Sequence, residues 1–213
     1  MGKNKLKLYS IIKTFPNVLE FPIEKDFLNK CFYLKSKWNK EFFKNENQII
    51  LELACGKGEY SIGMGEKYPK KNFIGIDIKG ARICKGALIS IEKNLKNICF
   101  LRTKIERIEN VFSKNEIHEI WITFPDPQLK KPKKSKTFLS KNGTINLKTD
   151  NKVFYEFTLE MIKINKLNLI YHTENLYNTE NLKFLEILKE IQTYYEKKFL
   201  KENKNIFYIK FSF

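Results

Sequence analysis

The chain has 213 residues, 42 % of them apolar and 14 % aromatic, with a formal net charge of +16. That is enough apolar material for one ordinary domain with a small extension, so a disordered tail is excluded. A mean hydropathy of −0.44, with no apolar run near ~18 residues, excludes a transmembrane helix and leaves no membrane partner expected. The first residues, Met1 to Lys7, lack the apolar stretch of a signal peptide. Cys31, Cys55, Cys84 and Cys99 form no CxxC pair, and His118 and His172 complete no zinc set. The expectation is therefore a cytoplasmic protein with reduced thiols and no metal. Of the 40 basic residues only three are Arg (Arg82, Arg102, Arg107). A skew this strong toward Lys is what an AT-rich coding sequence produces, so charge alone does not establish a polyanionic partner.

Residues 1–47 are basic and rich in aromatics, and read as an extension packing on the main body, a domain of residues 48–213. From Gln48 onward short apolar runs recur: 48–53, 72–77, 98–101, 117–123 and 144–148. Their length and composition suit strands buried on both faces. Helical spacing follows the second run (Cys84, Ala87, Leu88, Ile91, Leu95), the fifth (Val153, Phe154, Phe157, Met161, Ile164), and recurs at Phe184, Ile187, Leu188 and Ile191. Two late runs, 167–171 and 206–213, are expected as edge strands. Alternation of strand and helix predicts an α/β, doubly wound, mostly parallel seven-stranded sheet.

The first strand runs into Glu52-Leu53-Ala54-Cys55-Gly56-Lys57-Gly58, and the second ends at Asp77. Glycines after a strand admit a ligand close to the backbone, and an acid at the next strand end can hold ribose hydroxyls. Glu52 suits a ligand carrying an ammonium group and disfavours a pyrophosphate. Ser61 stands where a dinucleotide fingerprint has its third glycine. These residues favour S-adenosylmethionine over NAD. The fourth run ends in Phe124-Pro125-Asp126-Pro127, whose prolines stiffen the loop that carries Asp126. Lys130 follows within reach of an anion, and 128–141 holds six Lys and no acid, which suits a phosphate backbone. Asp150, after Leu147-Lys148-Thr149, could equally cap the next helix. Thr193-Tyr194-Tyr195-Glu196 has capping-box spacing.

Taken in order, these motifs closely resemble the bacterial tRNA (guanine-N7)-methyltransferase family, over most of the chain. The form Phe124-Pro125-Asp126-Pro127-Gln128 looks like the branch found in Bacteroidetes. The resemblance implies a class I S-adenosylmethionine-dependent methyltransferase fold and transfer of a methyl group to N7 of guanosine at variable-loop position 46 of tRNA. By the same resemblance Glu52, Gly56, Gly58, Asp77, Glu106 and Asp126 would line the cofactor site, with Asp126 also catalytic. Lys130, Asp150, Thr193, Tyr194, Tyr195 and Glu196 would face the guanosine and its tRNA. Rival readings are a same-fold enzyme acting on another RNA, and an inactive RNA-binding relative. Either a monomer or a homodimer suits the sequence. One departure stands out: Asp126 to Asp150 is shorter than the family's usual span. Parallel crossovers take at least ~10–12 residues, and once the Pro/Lys loop is formed only residues 137–142 remain. The expectation is a crossover without its helix, or with one turn, and a sheet face covered by the N-terminal extension or a second subunit.

Overall fold

A computed structural model of the chain describes residues 11–22, 30–125, 138–179 and 183–213. Eight strands make one sheet: β1 (Val18–Glu20), β2 (Ile49–Leu53), β3 (Asn72–Asp77), β4 (Ile98–Arg102), β5 (Ile117–Thr123), β6 (Leu139–Thr149), β7 (Asn168–Thr173) and β8 (Phe207–Ser212). Their order is β1-β4-β3-β2-β5-β6-β8-β7. The first six are parallel to one another, and β8 runs antiparallel to both β6 and β7. The α-helices that lie wholly among the described residues are α1 (Glu59–Lys67), α2 (Gly80–Glu92), α3 (Ile108–Val111), α4 (Lys152–Ile164), α5 (Lys183–Glu190) and α6 (Tyr194–Lys201).

The five apolar runs are strands, and the mostly parallel α/β class is as expected. The count differs: the sheet has eight strands because Val18–Glu20 pairs with β4, Val18 opposite Phe100. A three-residue strand has no periodicity to detect, and only the exposed edge of β4 selects it. The late runs are also placed differently. β7 is at an edge, but β8 lies inside the sheet, because β7 pairs along its outer side, Leu169 opposite Phe211. Phe207, Ile209 and Phe211 pack under α4, while Tyr208 joins the core on the opposite face.

Each strand feeds two cores by alternation. Ile50, Phe73, Phe100 and Trp121 pack with Tyr60 of α1, Ala87 of α2 and Leu188 of α5. Ile49, Leu51, Ile74, Ile76, Cys99, Leu101 and Ile120 face the other way. The stripe that α2 buries is Ile83, Cys84, Ala87 and Ser90, whereas Leu88 and Ile91 are exposed. Small residues let that helix lie closer to the sheet than a Leu/Ile stripe would. On α4, Tyr155 and Ile162 are buried, whereas Val153 and Ile164, at its two ends, are exposed.

No helix occurs among the described residues between β5 and β6. Residues 139–142, expected as the remnant of a crossover helix, belong to β6, with Leu139 opposite Ile117. The rest of the Pro/Lys loop, 126–137, lies outside the described residues. The N-terminal extension covers much of the face concerned: Phe21, Phe32, Leu34, Trp38 and Phe43 are all buried there. Trp38 lies in a π-helical turn (Trp38–Phe43), fully buried. Its ring stacks on Phe112 at 5.5 Å and its Nε1 donates to the Val111 carbonyl at 3.2 Å.

Truncating a fully buried aromatic removes its transfer energy and leaves a cavity. Trp38→Ala is therefore expected to lower the unfolding free energy by about 3–5 kcal/mol, read from urea denaturation. A loss below about 1 kcal/mol would mean that the extension is not part of the cooperative core.

Candidate active site

The connections from β2 through α1 to β3 and from β4 to β5 place β3 and β5 on opposite sides of β2. The carboxyl ends of β2 and β5 thus flank a topological switch point, where open α/β sheets bind ligands. Glu52, Asp77, Thr103 and Thr123 end or follow four neighbouring strands at this edge.

The turn after β2 holds three left-handed residues, Ala54 (φ 56°), Gly56 (φ 60°) and Gly58 (φ 68°). A Cβ on Gly56 would meet nothing within 4 Å, so the loop faces open space there. On the other side α2 presses against it: a Cβ on Gly86 would stand 2.2 Å from the Lys57 carbonyl oxygen.

Gly58 sits at the cap position of α1 and has no side chain to satisfy that helix's first N–H groups. Glu52 supplies the acceptor instead. Its carboxylate, 3 % exposed, accepts from the Ser61 N–H (2.8 Å), the Ser61 hydroxyl (2.6 Å) and the Thr123 hydroxyl (3.2 Å). Burial outweighs these bonds and pushes the carboxyl up to about 7. Asp77 accepts from the Gly56 N–H at 2.9 Å and the Lys79 N–H at 2.7 Å. Each of its oxygens keeps a lone pair for a further donor. Glu106 is exposed in the 3₁₀ turn Ile105–Arg107, past the end of β4. Nearby in sequence, the buried Thr103 hydroxyl has no partner. Two carboxylates, an open glycine turn and an orphaned hydroxyl fit the amino, ribose and adenine parts of S-adenosylmethionine. Among the described residues no group of three or more His, Cys, Asp or Glu could hold a metal ion.

A second group of residues lies alongside. Thr193 caps α6, accepting from the Glu196 N–H at 3.2 Å. Tyr194 and Tyr195 point outward, 58 % and 43 % exposed. The Lys57 ammonium lies 4.9 Å from the centre of the Tyr194 ring, and Arg82 reaches the Tyr195 hydroxyl at 3.5 Å. Glu196 does not share that exposure. Its carboxylate is wholly buried, 2.6 Å from Lys148 Nζ, and accepts from the Tyr177 hydroxyl at 2.9 Å. The structure thus places three of these four residues around the helix start and turns the fourth inward. Asp150 directly follows β6, with Lys204 Nζ 3.8 Å from its carboxylate, and Asn151, not Asp150, caps α4. Asp126 and Lys130 lie outside the described residues. The chain leading to them is tied at Phe124 (φ 49°), whose N–H donates to the Lys148 carbonyl at 2.8 Å and whose ring meets Phe199 at 5.8 Å.

Ser61, Thr123 and Lys148 were not among the expected site residues. Ser61 was visible only as a missing glycine, and Thr123 only as a strand end. Lys148 lies inside the Leu147-Lys148-Thr149-Asp150 motif, but nothing in the sequence distinguishes a buried Lys among so many surface ones.

A family profile described as "Putative methyltransferase" matches residues 46–209. A tRNA (guanine-N(7)-)-methyltransferase of Bacteroides fragilis is 45 % identical over 221 aligned residues, covering 99 % of this chain and 86 % of that protein. One from Christiangramia forsetii is 41 % identical, covering 99 % and 98 %. Among solved structures, the 16S rRNA methyltransferase KamB is similar in fold, with a TM-score of 0.63 at 11 % identity, over 81 % of this chain and 91 % of that one.

Two outcomes follow from this geometry. An acid held at about 7 in the fold, against 4.5 ordinarily, adds stability below pH 4.5 and loses it as pH rises through 7. The ligand-free protein should therefore lose on the order of 3 kcal/mol between pH 4.5 and 7 from this group, a slope absent in Glu52→Gln. Equal slopes in chemical denaturation would show that the carboxylate is already ionised. Gly86→Ala should displace the Lys57 carbonyl and weaken S-adenosylmethionine binding about tenfold or more, measured by calorimetry; unchanged affinity would separate α2 from the cofactor loop.

Proposed function

This chain belongs to the tRNA (guanine-N7)-methyltransferase family, and we propose that it transfers the methyl group of S-adenosylmethionine to N7 of the guanosine at variable-loop position 46 of tRNA. The observation that carries this reading is the juxtaposition at one sheet edge of a buried acidic pair, Glu52 and Asp77, with outward tyrosines flanked by Lys57 and Arg82. The first set suits the cofactor, the second an RNA base. A tRNA substrate accords with a cytoplasmic location, and no helix among the described residues is long and apolar enough to cross a membrane.

S-adenosylmethionine supplies an electrophilic methyl group on a positively charged sulfur. Guanine N7 carries a lone pair and no proton, so the chain needs no general base. Its tasks are to align the two reactants and to place negative charge where positive charge arrives. Glu52 would take the ammonium of the amino-acid moiety, which draws the carboxyl into its ionised form. Asp77, already oriented by two backbone N–H groups, would accept the ribose hydroxyls. Glu106 would receive the adenine amino group. Asp126 would position the guanine edge and stabilise the cation developing on the purine. Asp150 and the Thr193 to Tyr195 turn would hold the nucleoside, with the rings of Tyr194 and Tyr195 offering faces to an unstacked base. Lys130 and the other lysines of 128–141 would bind phosphates, which makes affinity fall steeply with salt.

The experiment is methyl transfer from labelled S-adenosylmethionine to unmodified tRNA, followed by nucleoside analysis. The expected product is 7-methylguanosine, absent when the variable-loop guanosine is replaced. A different methylated nucleoside would overturn the assignment. In the same assay Asp126→Asn should lower kcat by about 100-fold with cofactor affinity changed less than about threefold. With S-adenosylmethionine saturating, so that Glu52 is already ionised, a kcat profile that demands a deprotonated base titrating near neutrality would contradict the mechanism.

A further inference from the structure

Lys148 and Glu196 form an ion pair with both side chains at 0 % exposure, a placement the cofactor chemistry does not use. The ammonium reaches three elements besides its own strand. It donates to the Leu188 carbonyl at 2.7 Å, meets the Glu196 carboxylate at 2.6 Å, and lies 5.2 Å from the centre of the Tyr60 ring. Leu188 is in the last turn of α5, where carbonyls lack intrahelical partners, and Glu196 is in the first turn of α6. One side chain of β6 therefore serves both ends of the α5–α6 turn. Tyr177 adds a second tie: its hydroxyl donates to Glu196 at 2.9 Å and accepts from Gln192 at 3.0 Å. Burial lowers the Lys148 ammonium's affinity for its proton and the Glu196 carboxylate opposes that.

A buried ion pair adds little net stability over well-packed apolar side chains, and its attested use is to fix one geometry among several. Here the geometry that depends on it is the start of α6. Glu196 is pinned inside, so Tyr194 and Tyr195, just before it, stand outside against Lys57 of the cofactor loop and Arg82 of α2. The Tyr60 ring belongs to α1, next to the Ser61 that holds Glu52. We infer that Lys148 is a positioning residue for the RNA substrate: through Glu196 and Leu188 it fixes the first turn of α6 so that Tyr194 and Tyr195 form a stacking surface for a nucleobase beside the cofactor loop. The inference rests on the RNA-methylating reading above, and it assigns Glu196 an action from behind the surface.

The test uses the full chain with Lys148→Met/Glu196→Gln, which removes the tie without leaving an unpaired buried charge. The expected result is an unchanged S-adenosylmethionine affinity, a KM for unmodified tRNA raised about tenfold and a kcat changed less than about threefold. Amide exchange should rise in 194–201 but not in 152–164. A role in stability alone predicts wild-type KM for any folded double variant, with exchange raised alike in 194–201 and 152–164, and that result overturns the proposal. If the double variant does not fold, Glu196→Gln by itself decides: a KM raised about threefold supports the tie and an unchanged KM overturns it. Should the wild-type enzyme make no 7-methylguanosine, the function reading fails. The exchange pattern and the affinity of each variant for a fluorescent single-stranded RNA then still decide the role of Lys148.

Discussion

The Glu52 carboxylate accepts from the backbone and side chain of Ser61 and from the hydroxyl of Thr123, and so joins β2, α1 and β5 at the switch point. Gly58 gives the turn its left-handed shape but leaves α1 without a side-chain cap. The acid from the strand makes good that deficit. Because the joint is buried, the carboxyl sits near neutrality in its proton affinity, and a cationic group arriving there would be met by a charge it helps to create. Glycine turn, helix start and strand-end acid are thus one construction rather than three features.

A sheet with two apolar faces needs two covers. Helices α1, α2 and α5 provide one. On the other face the connection from β5 to β6 contributes no helix among the described residues, and the N-terminal segment takes much of that position with Phe21, Phe32, Leu34, Trp38 and Phe43. Ile122 and Ile145, packed between this cluster and the one under α4, remain only partly buried. The aromatics of the extension are therefore part of the core.

Charge is arranged by location rather than by total. The ligand edge carries buried acids, and the adjoining surface carries Lys57 and Arg82 against exposed rings. Of a net charge of +16, these two cations are tied to aromatic partners beside the site. Lys148 is the opposite case: a cation of the same composition-driven abundance, fully internal and paired.

The sequence by itself determined the strands of the parallel core, because short β-rich runs between helical spacings have few other folds open to them. It also determined which acids stand at strand ends, because Glu52, Asp77 and Asp150 are fixed by chain position once the strands are known. The family resemblance was equally legible, since it rests on motif order. Only the tertiary structure decided the rest. β1 exists because β4 had a free edge, and β8 lies inside the sheet because β7 pairs along the side that β6 leaves open. Asn151 rather than Asp150 caps α4, its side chain accepting from the Phe154 N–H. Glu196 turns inward because Lys148, forty-eight positions away in the chain, waits there, both side chains fully shielded from bulk solvent. Local pattern sets what an element is; burial and pairing between distant segments set what each side chain does.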